Sequence, residues 1–138
     1  MEISNRIEDK INDLIKVVIG LCIDIHSKIG PGCFEKVYEE ILYHELINEG
    51  LNVKRQLLLP IDYKNLHINN AYKIDLLLES SLVLELKSVF PLPPVYFKQV
   101  QTQLSLIGLK NGLLLNFKVP RMKEGIYRVY NNFGKDLI

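Results

Sequence analysis

Cysteine is scarce in this chain: its 138 residues hold two, Cys22 and Cys33. Their spacing matches no metal-ligand pattern and two thiols build no disulfide framework, so both are expected as small buried apolar residues. Net charge is nearly absent, at +1. The chain therefore has no global attraction for nucleic acid, and any such binding needs a local patch. No apolar run approaches membrane-spanning length, and the opening MEISNRIEDKIND is too charged for a signal peptide. A cytoplasmic location without membrane association is the expectation. Internal repeats and low-complexity segments are also missing. What remains, 48% hydrophobic and 24% charged, is the profile of a soluble globular protein in one domain over 1–138.

The most apolar stretch, KIDLLLESSLVLELK, from Lys73 to Lys87, is interrupted by Asp75, Glu79 and Glu85. Leu76-Leu77-Leu78 and Leu82-Val83-Leu84 have the length of two buried strands broken at Ser80-Ser81. Charges within such a run need a reason, because an unpaired buried carboxylate costs several kcal/mol, roughly, and survives when paired or bound to metal. Side chains alternate along a strand, so Glu85 and Lys87 share a face. A two-residue loop would set Asp75 opposite Leu86 and separate the acids. A three-residue loop, Glu79-Ser80-Ser81, or an equivalent bulge, sets Asp75 opposite Glu85 with Lys87 on the same side. We expect the odd loop.

Two carboxylates converging from adjacent strands make an oxygen-rich site suited to Mg²⁺ or Mn²⁺. Lys87 would orient a water or offset developing negative charge. The competing reading is a structural acid–lysine ion pair at a sheet end. Acid-x-Lys also occurs at Glu8-Asp9-Lys10 and Asp62-Tyr63-Lys64, which lack the paired-strand setting.

The flanking segments supply helices and further strands. Ile7, Ile11, Leu14, Ile15, Val18, Ile19, Cys22, Ile25 and Ile29 recur at three and four, predicting a helix capped at Ser4 or Asn5 and ended by Gly30-Pro31-Gly32. A second helix is predicted from about Phe34 to Asn48, with Glu35 in its first turn where the helix dipole favours a carboxylate. Residues 51–64 read as strand, turn at Pro60 and strand, and Asn65 and Asn69-Asn70 mark further turns. After SVFPLPP a helix from roughly Val95 to Ile107 carries Gln99 and Gln103 on one face. GLLLNF and GIYRVYN read as closing strands. Lys118, Arg121, Lys123 and Arg128 form the densest positive stretch, a candidate phosphate-contacting patch. The order is ααββββαββ, an α/β or α+β sandwich.

IGPGCFEKVYEEILYHEL resembles the signature of the GxxExxY family, with Gly32, Glu35 and Tyr38 in the naming positions. The resemblance continues through YKIDLLLE, LVLELKSV, the glutamine-bearing helix, GLLLNF and GIYRVYN. It implies the PD-(D/E)xK nuclease-like superfamily and a restriction-endonuclease-like fold, a central mixed four-stranded sheet flanked by helices. It further implies that Asp75, Glu85 and the Leu86 carbonyl hold the metal, that Lys87 assists the nucleophilic water, and that Glu35 completes the ligand shell directly or through water. Gln99 matches a glutamine that follows the Glu-x-Lys strand in some branches. The sequence departs from the pattern with Ile74 before Asp75, Gln103 in place of a tyrosine, and Pro91-Leu92-Pro93-Pro94 in place of a histidine-bearing stretch.

Two functions fit. One is a metal-dependent nuclease cutting nucleic acid, DNA in preference to RNA, as a homodimer or with a protein partner. The other is a non-catalytic subunit that binds nucleic acid or a partner and keeps the fold. Retention of Asp75, Glu85 and Lys87 together favours the nuclease, since a binding module has no need of all three.

Overall fold

The computed structural model describes residues 2–131. Helices α1 (Glu2–Ile29) and α2 (Glu35–Asn48) precede strands β1 (Val53–Tyr63), β2 (Leu66–Leu78) and β3 (Leu82–Lys87). Helix α3 (Val95–Ile107), strand β4 (Asn111–Asn116), a short 3-10 turn (Met122–Gly125) and strand β5 (Ile126–Tyr130) follow. The five strands form one mixed sheet in the order β1-β2-β3-β4-β5. Only β3 and β4 run parallel, joined through α3, while every other neighbouring pair is antiparallel. The architecture is the expected restriction-endonuclease-like one, with five strands rather than four.

The six strands of the order read from the sequence become five because Pro60 does not break its segment. β1 lies at the edge of the sheet, where a missing N–H is tolerated. The ladder instead shifts register between Leu59 and Ile61, so that Pro60 faces Asn69-Asn70-Ala71. The anticipated Asn69-Asn70 turn is thus absorbed as a bulge inside β2, with Asn70 at φ +54°. The one real reversal is at Lys64-Asn65, between the paired Tyr63 and Leu66. The start of α1 is also corrected: Ser4 and Asn5 lie inside the helix, which begins at Glu2.

The sheet is covered on both sides. Ile11, Ile15, Val18, Cys22 and Ile25 of α1, with Tyr38, Leu42 and Leu46 of α2, pack on Leu76, Leu78, Leu82, Leu84 and Leu86. On the other face Val100 and Leu104 of α3 pack on Leu77, Val83 and Leu114. Covering both faces makes 82–86 continuously buried, and the two acids exceptional. Each fully buried leucine contributes roughly 1.5–3 kcal/mol.

Two positions fix the loops beside the candidate site. Gly30 ends α1 at φ +82°, and the Tyr38 hydroxyl donates to its carbonyl at 2.5 Å while accepting the Cys33 N–H at 3.1 Å. Tyr38 stacks on Phe117 with ring centres 4.3 Å apart, so the signature tyrosine holds the α1–α2 loop against the end of β4. Gly125 has no room for a side chain: a Cβ there would lie 1.9 Å from the Asn116 carbonyl oxygen. Among the described residues no helix is long and apolar enough to cross a membrane.

Candidate active site

The site forms where β2 leaves β3. Glu79 and Ser80 take φ +52° and +51°, and the Ser81 N–H donates to the Leu78 carbonyl at 3.0 Å. Pairing then starts at Leu78 with Leu82, leaving three residues between the paired positions, as expected. The ladder runs through Leu77–Val83 and Leu76–Leu84 and stops. Continuing its register sets Asp75 opposite Glu85. There the Leu86 N–H, which a ladder would give to a carbonyl, donates to Asp75 Oδ2 at 3.0 Å. The carboxylate thus takes the place of a backbone acceptor at the fork between the strands, which satisfies a buried donor.

Asp75 and Glu85 are 5% and 6% exposed and line the same cleft. Glu85 is pushed up to about 9, first by burial and then by Asp75, against the pull of Gln103 and Lys87. Lys87 lies on the same strand face, with Nζ 4.1 Å from the centre of the Tyr96 ring in the first turn of α3. That contact holds the ammonium by cation–π attraction near the acids.

Gln103, which the sequence offered only as the companion of Gln99 on one helix face, joins the candidate site. It is 2% exposed, and its Nε2 donates to Glu85 Oε2 and to the Lys73 carbonyl, the latter at 3.1 Å. Its Oε1 is buried without a hydrogen-bond partner. The available signal was its spacing: Gln103 follows Gln99 by one helical turn on the face that meets the sheet. Gln99 is only half-buried; it lines the same cleft, and its carbonyl accepts from the Tyr72 hydroxyl at 3.3 Å.

Glu35 lines the mouth of this cleft of about 440 Å³, with Lys73, Asp75, Glu85 and Lys87. Its carboxyl is raised by burial first and by Asp75 and Glu39, while Lys87 and Lys73 lower it. Expected as a metal ligand, it does not complete a cluster of acids: among the described residues no three His, Cys, Asp or Glu side chains group closely enough to hold a metal ion. A second network backs Asp75. Gln56, at φ +53°, donates to Glu39 at 2.6 Å and reaches Asp75 at 3.5 Å, and Arg55 donates to Glu39 at 2.8 Å and Glu40 at 2.6 Å. Arg55 is therefore committed to α2.

The positive stretch divides. Lys118, Arg121 and Lys123 are exposed after the end of β4. Arg128 is corrected out of that patch: its guanidinium donates to Asn12 at 2.9 Å and Asn111 at 3.0 Å. β5 runs back antiparallel to β4, which carries Arg128 toward the far end of the sheet. His26 is structural, its Nε2 lying 2.9 Å from the Val119 carbonyl oxygen.

The donors present fit a hard divalent cation. Asp75 and Glu85 converge on one cleft in a buried setting where two carboxylates are costly unless their charge is offset. Gln103 Oε1 adds an unpartnered buried oxygen beside them. The donor set is all oxygen, as Mg²⁺ and Mn²⁺ prefer.

Residues 12–129 match the family model described as the PD-(D/E)XK nuclease superfamily. No curated protein matches the chain in sequence. Among solved structures, that of SSO0001 superposes with a TM-score of 0.55 at 20% identity, covering 70% of this chain and 49% of that one. An alkaline exonuclease (LHK-Exo) from Laribacter hongkongensis matches with a TM-score of 0.39 at 16% identity, over 65% of this chain and 52% of that one. The chain thus spans about half the length of the structures it matches. SSO0001 supports the fold, and the second superposition carries no further weight.

Proposed function

The chain belongs to the PD-(D/E)XK nuclease superfamily, and we propose on that premise that it hydrolyses phosphodiester bonds of nucleic acid with Mg²⁺ or Mn²⁺. The observation that carries this reading is that Asp75 and Glu85, both buried, line one cleft with Lys87. A structural ion pair would join Lys87 to an acid, yet the described salt bridges do not include Lys87.

Asp75, Glu85 and the Leu86 carbonyl would hold the cation, which when bound supplies positive charge that acidifies water and neutralises a phosphoryl oxygen. Glu85 is steered by Gln103, and Asp75 is anchored by the Leu86 N–H, so neither carboxylate reorganises during the reaction. Lys87, held over Tyr96, donates to the attacking water or to the phosphate as negative charge develops. Glu35 acts from the mouth through intervening water, and Gln99 lines the substrate side of the cleft. In-line attack forms the new P–O bond, breaks the bond to the 3′ oxygen and leaves a 5′-phosphate and a 3′-hydroxyl.

The test is cleavage of a panel of supercoiled, linear and single-stranded DNA and of RNA, with Mg²⁺ or Mn²⁺. Asp75→Asn and Lys87→Ala, each confirmed folded, run beside the wild type. Metal-dependent cutting lost in both variants is the expected result. Cutting that persists in both points to a contaminant or another site, and no cutting by the wild type returns the chain to the non-catalytic binding reading.

A further inference from the structure

Phe34 sits where a phenylalanine does nothing for the fold. It is the N-cap residue of α2, makes no side-chain cap bond and is 85% exposed. Helix N-caps favour Ser, Thr, Asp or Asn, whose oxygens satisfy a free N–H. A phenyl ring there contributes neither capping nor burial. Phe90, in the loop after β3, is 76% exposed. Single exposed apolar residues are ordinary, so the arrangement matters more than either ring alone.

The two rings stand on segments that are tied together. Ser88 Oγ donates to the Cys33 carbonyl at 2.9 Å, joining the loop after β3 to the turn that presents Phe34. Asn116, at the end of β4, accepts the Val89 N–H at 3.1 Å and donates to the Val89 carbonyl at 2.9 Å. Loops from the carboxyl ends of the two parallel strands are thereby gathered at one edge, the usual place for ligands in sheets with parallel strands. Phe90, Pro31, Val119 and Pro120 line a shallow, largely apolar trough of about 520 Å³, with Lys118 among its lining residues. Phe34 immediately precedes Glu35, and Phe90 lies three residues beyond Lys87, at most about 10 Å of chain. Both rings are therefore carried by stretches of chain that also supply residues of the candidate active site.

We propose that this edge is a stacking platform for unpaired bases, with Phe34 and Phe90 as its aromatic faces and Lys118 contacting the phosphates, so that the substrate is a single-stranded nucleic acid or a single-stranded end. The proposal rests on the nuclease reading for its substrate and adds strandedness to it. A duplex hides the faces of its bases, whereas a single strand offers them to aromatic side chains irrespective of sequence. Exposed Lys118, Arg121 and Lys123 follow β4 on this side and supply the local positive charge that the near-neutral chain lacks overall. A purely apolar partner surface would leave that cationic rim without a role.

The experiment is fluorescence anisotropy of a labelled oligonucleotide as single strand, as duplex, and as a single strand with abasic sites. Ca²⁺ replaces Mg²⁺ so that binding is read without turnover, and the cleavage panel is run separately. The wild type should bind the single strand at least tenfold more tightly than duplex or abasic strand. Phe34→Ala and Phe90→Ala should each weaken single-strand binding by roughly tenfold, within the range of base–aromatic stacking, and leave duplex binding unchanged. Phe34→Tyr and Phe90→Tyr should retain it, since both positions are exposed and tyrosine keeps the ring. Equal affinity for the three ligands, no effect of the alanine variants, or no nucleic-acid binding at all would overturn the platform, the last pointing to a protein on this edge. Single-strand binding lost in the alanine variants, in a protein that cuts nothing, would sink the nuclease reading and keep the platform. Cutting that ignores strandedness and the phenylalanines would do the reverse.

Discussion

Replacing Glu85 by glutamine should make the metal-free protein more stable at neutral pH, although it removes a residue of the site. Glu85 titrates at about 9 in the fold against 4.5 ordinarily, with burial as the main cause and Asp75 next. Its folded value is raised, so between those limits the folded state holds a proton that the unfolded chain releases. Stability is therefore full below the ordinary value, falls as pH rises through it, and goes on falling until the folded carboxyl itself ionises. At about pH 7.5, three units above the ordinary value, the cost is about 4 kcal/mol at ~1.4 kcal/mol per unit. Glutamine keeps the shape, can still accept from Gln103 Nε2, and never ionises. The assay is thermal unfolding of wild type and Glu85→Gln from about pH 5 to about pH 9. We expect coincident curves at the acid end and a variant more stable by roughly 10 °C at about pH 7.5. Mn²⁺ should then raise the midpoint of the wild type and not of the variant, because the cation offsets the charge of an ionised Glu85. A variant less stable than wild type at about pH 7.5, or parallel pH dependences, would refute the raised Glu85 carboxyl.

Lys87→Ala should lose cleavage by at least 100-fold with a stability change under about 1 kcal/mol, since the fold loses mainly a cation–π contact with Tyr96; paired kinetics and denaturant unfolding decide this. Gln103→Ala should cost about 1–3 kcal/mol in urea unfolding, because the Lys73 carbonyl and the buried Glu85 lose their donor. Gly125→Ala should destabilise by about 3 kcal/mol or more, read by urea unfolding, because its Cβ would meet the backbone of Asn116 rather than a movable side chain. An equal midpoint for that variant would mean the turn before β5 can shift.

The local pattern determined much of this protein. Apolar recurrence at three and four set the helices: the predicted Val95–Ile107 matches α3 at both ends. The alternation of acids and leucines, with three residues between the paired strands, placed Asp75 opposite Glu85, because strand side chains repeat every two residues whatever lies around them. The naming tyrosine was legible as part of a motif, and its work in tying Gly30 and Cys33 to Phe117 was not.

Only the tertiary structure decided the rest. Pro60 and Asn69-Asn70 carry turn chemistry, yet β1 lies at an edge and β2 can bulge against it, so pairing overrode local preference and removed a predicted strand. Gln103 and Gln99 are equivalent on a helical wheel; docking of α3 buries the first against Glu85 and leaves the second at the cleft. Arg128 is close to Lys118 along the chain and distant from it in the fold, because an antiparallel strand reverses direction between them. Glu35 was placed with the metal ligands by its motif, and the helix that carries it holds it at the mouth. Periodicity sets which side a residue faces, and packing between elements sets what it meets there.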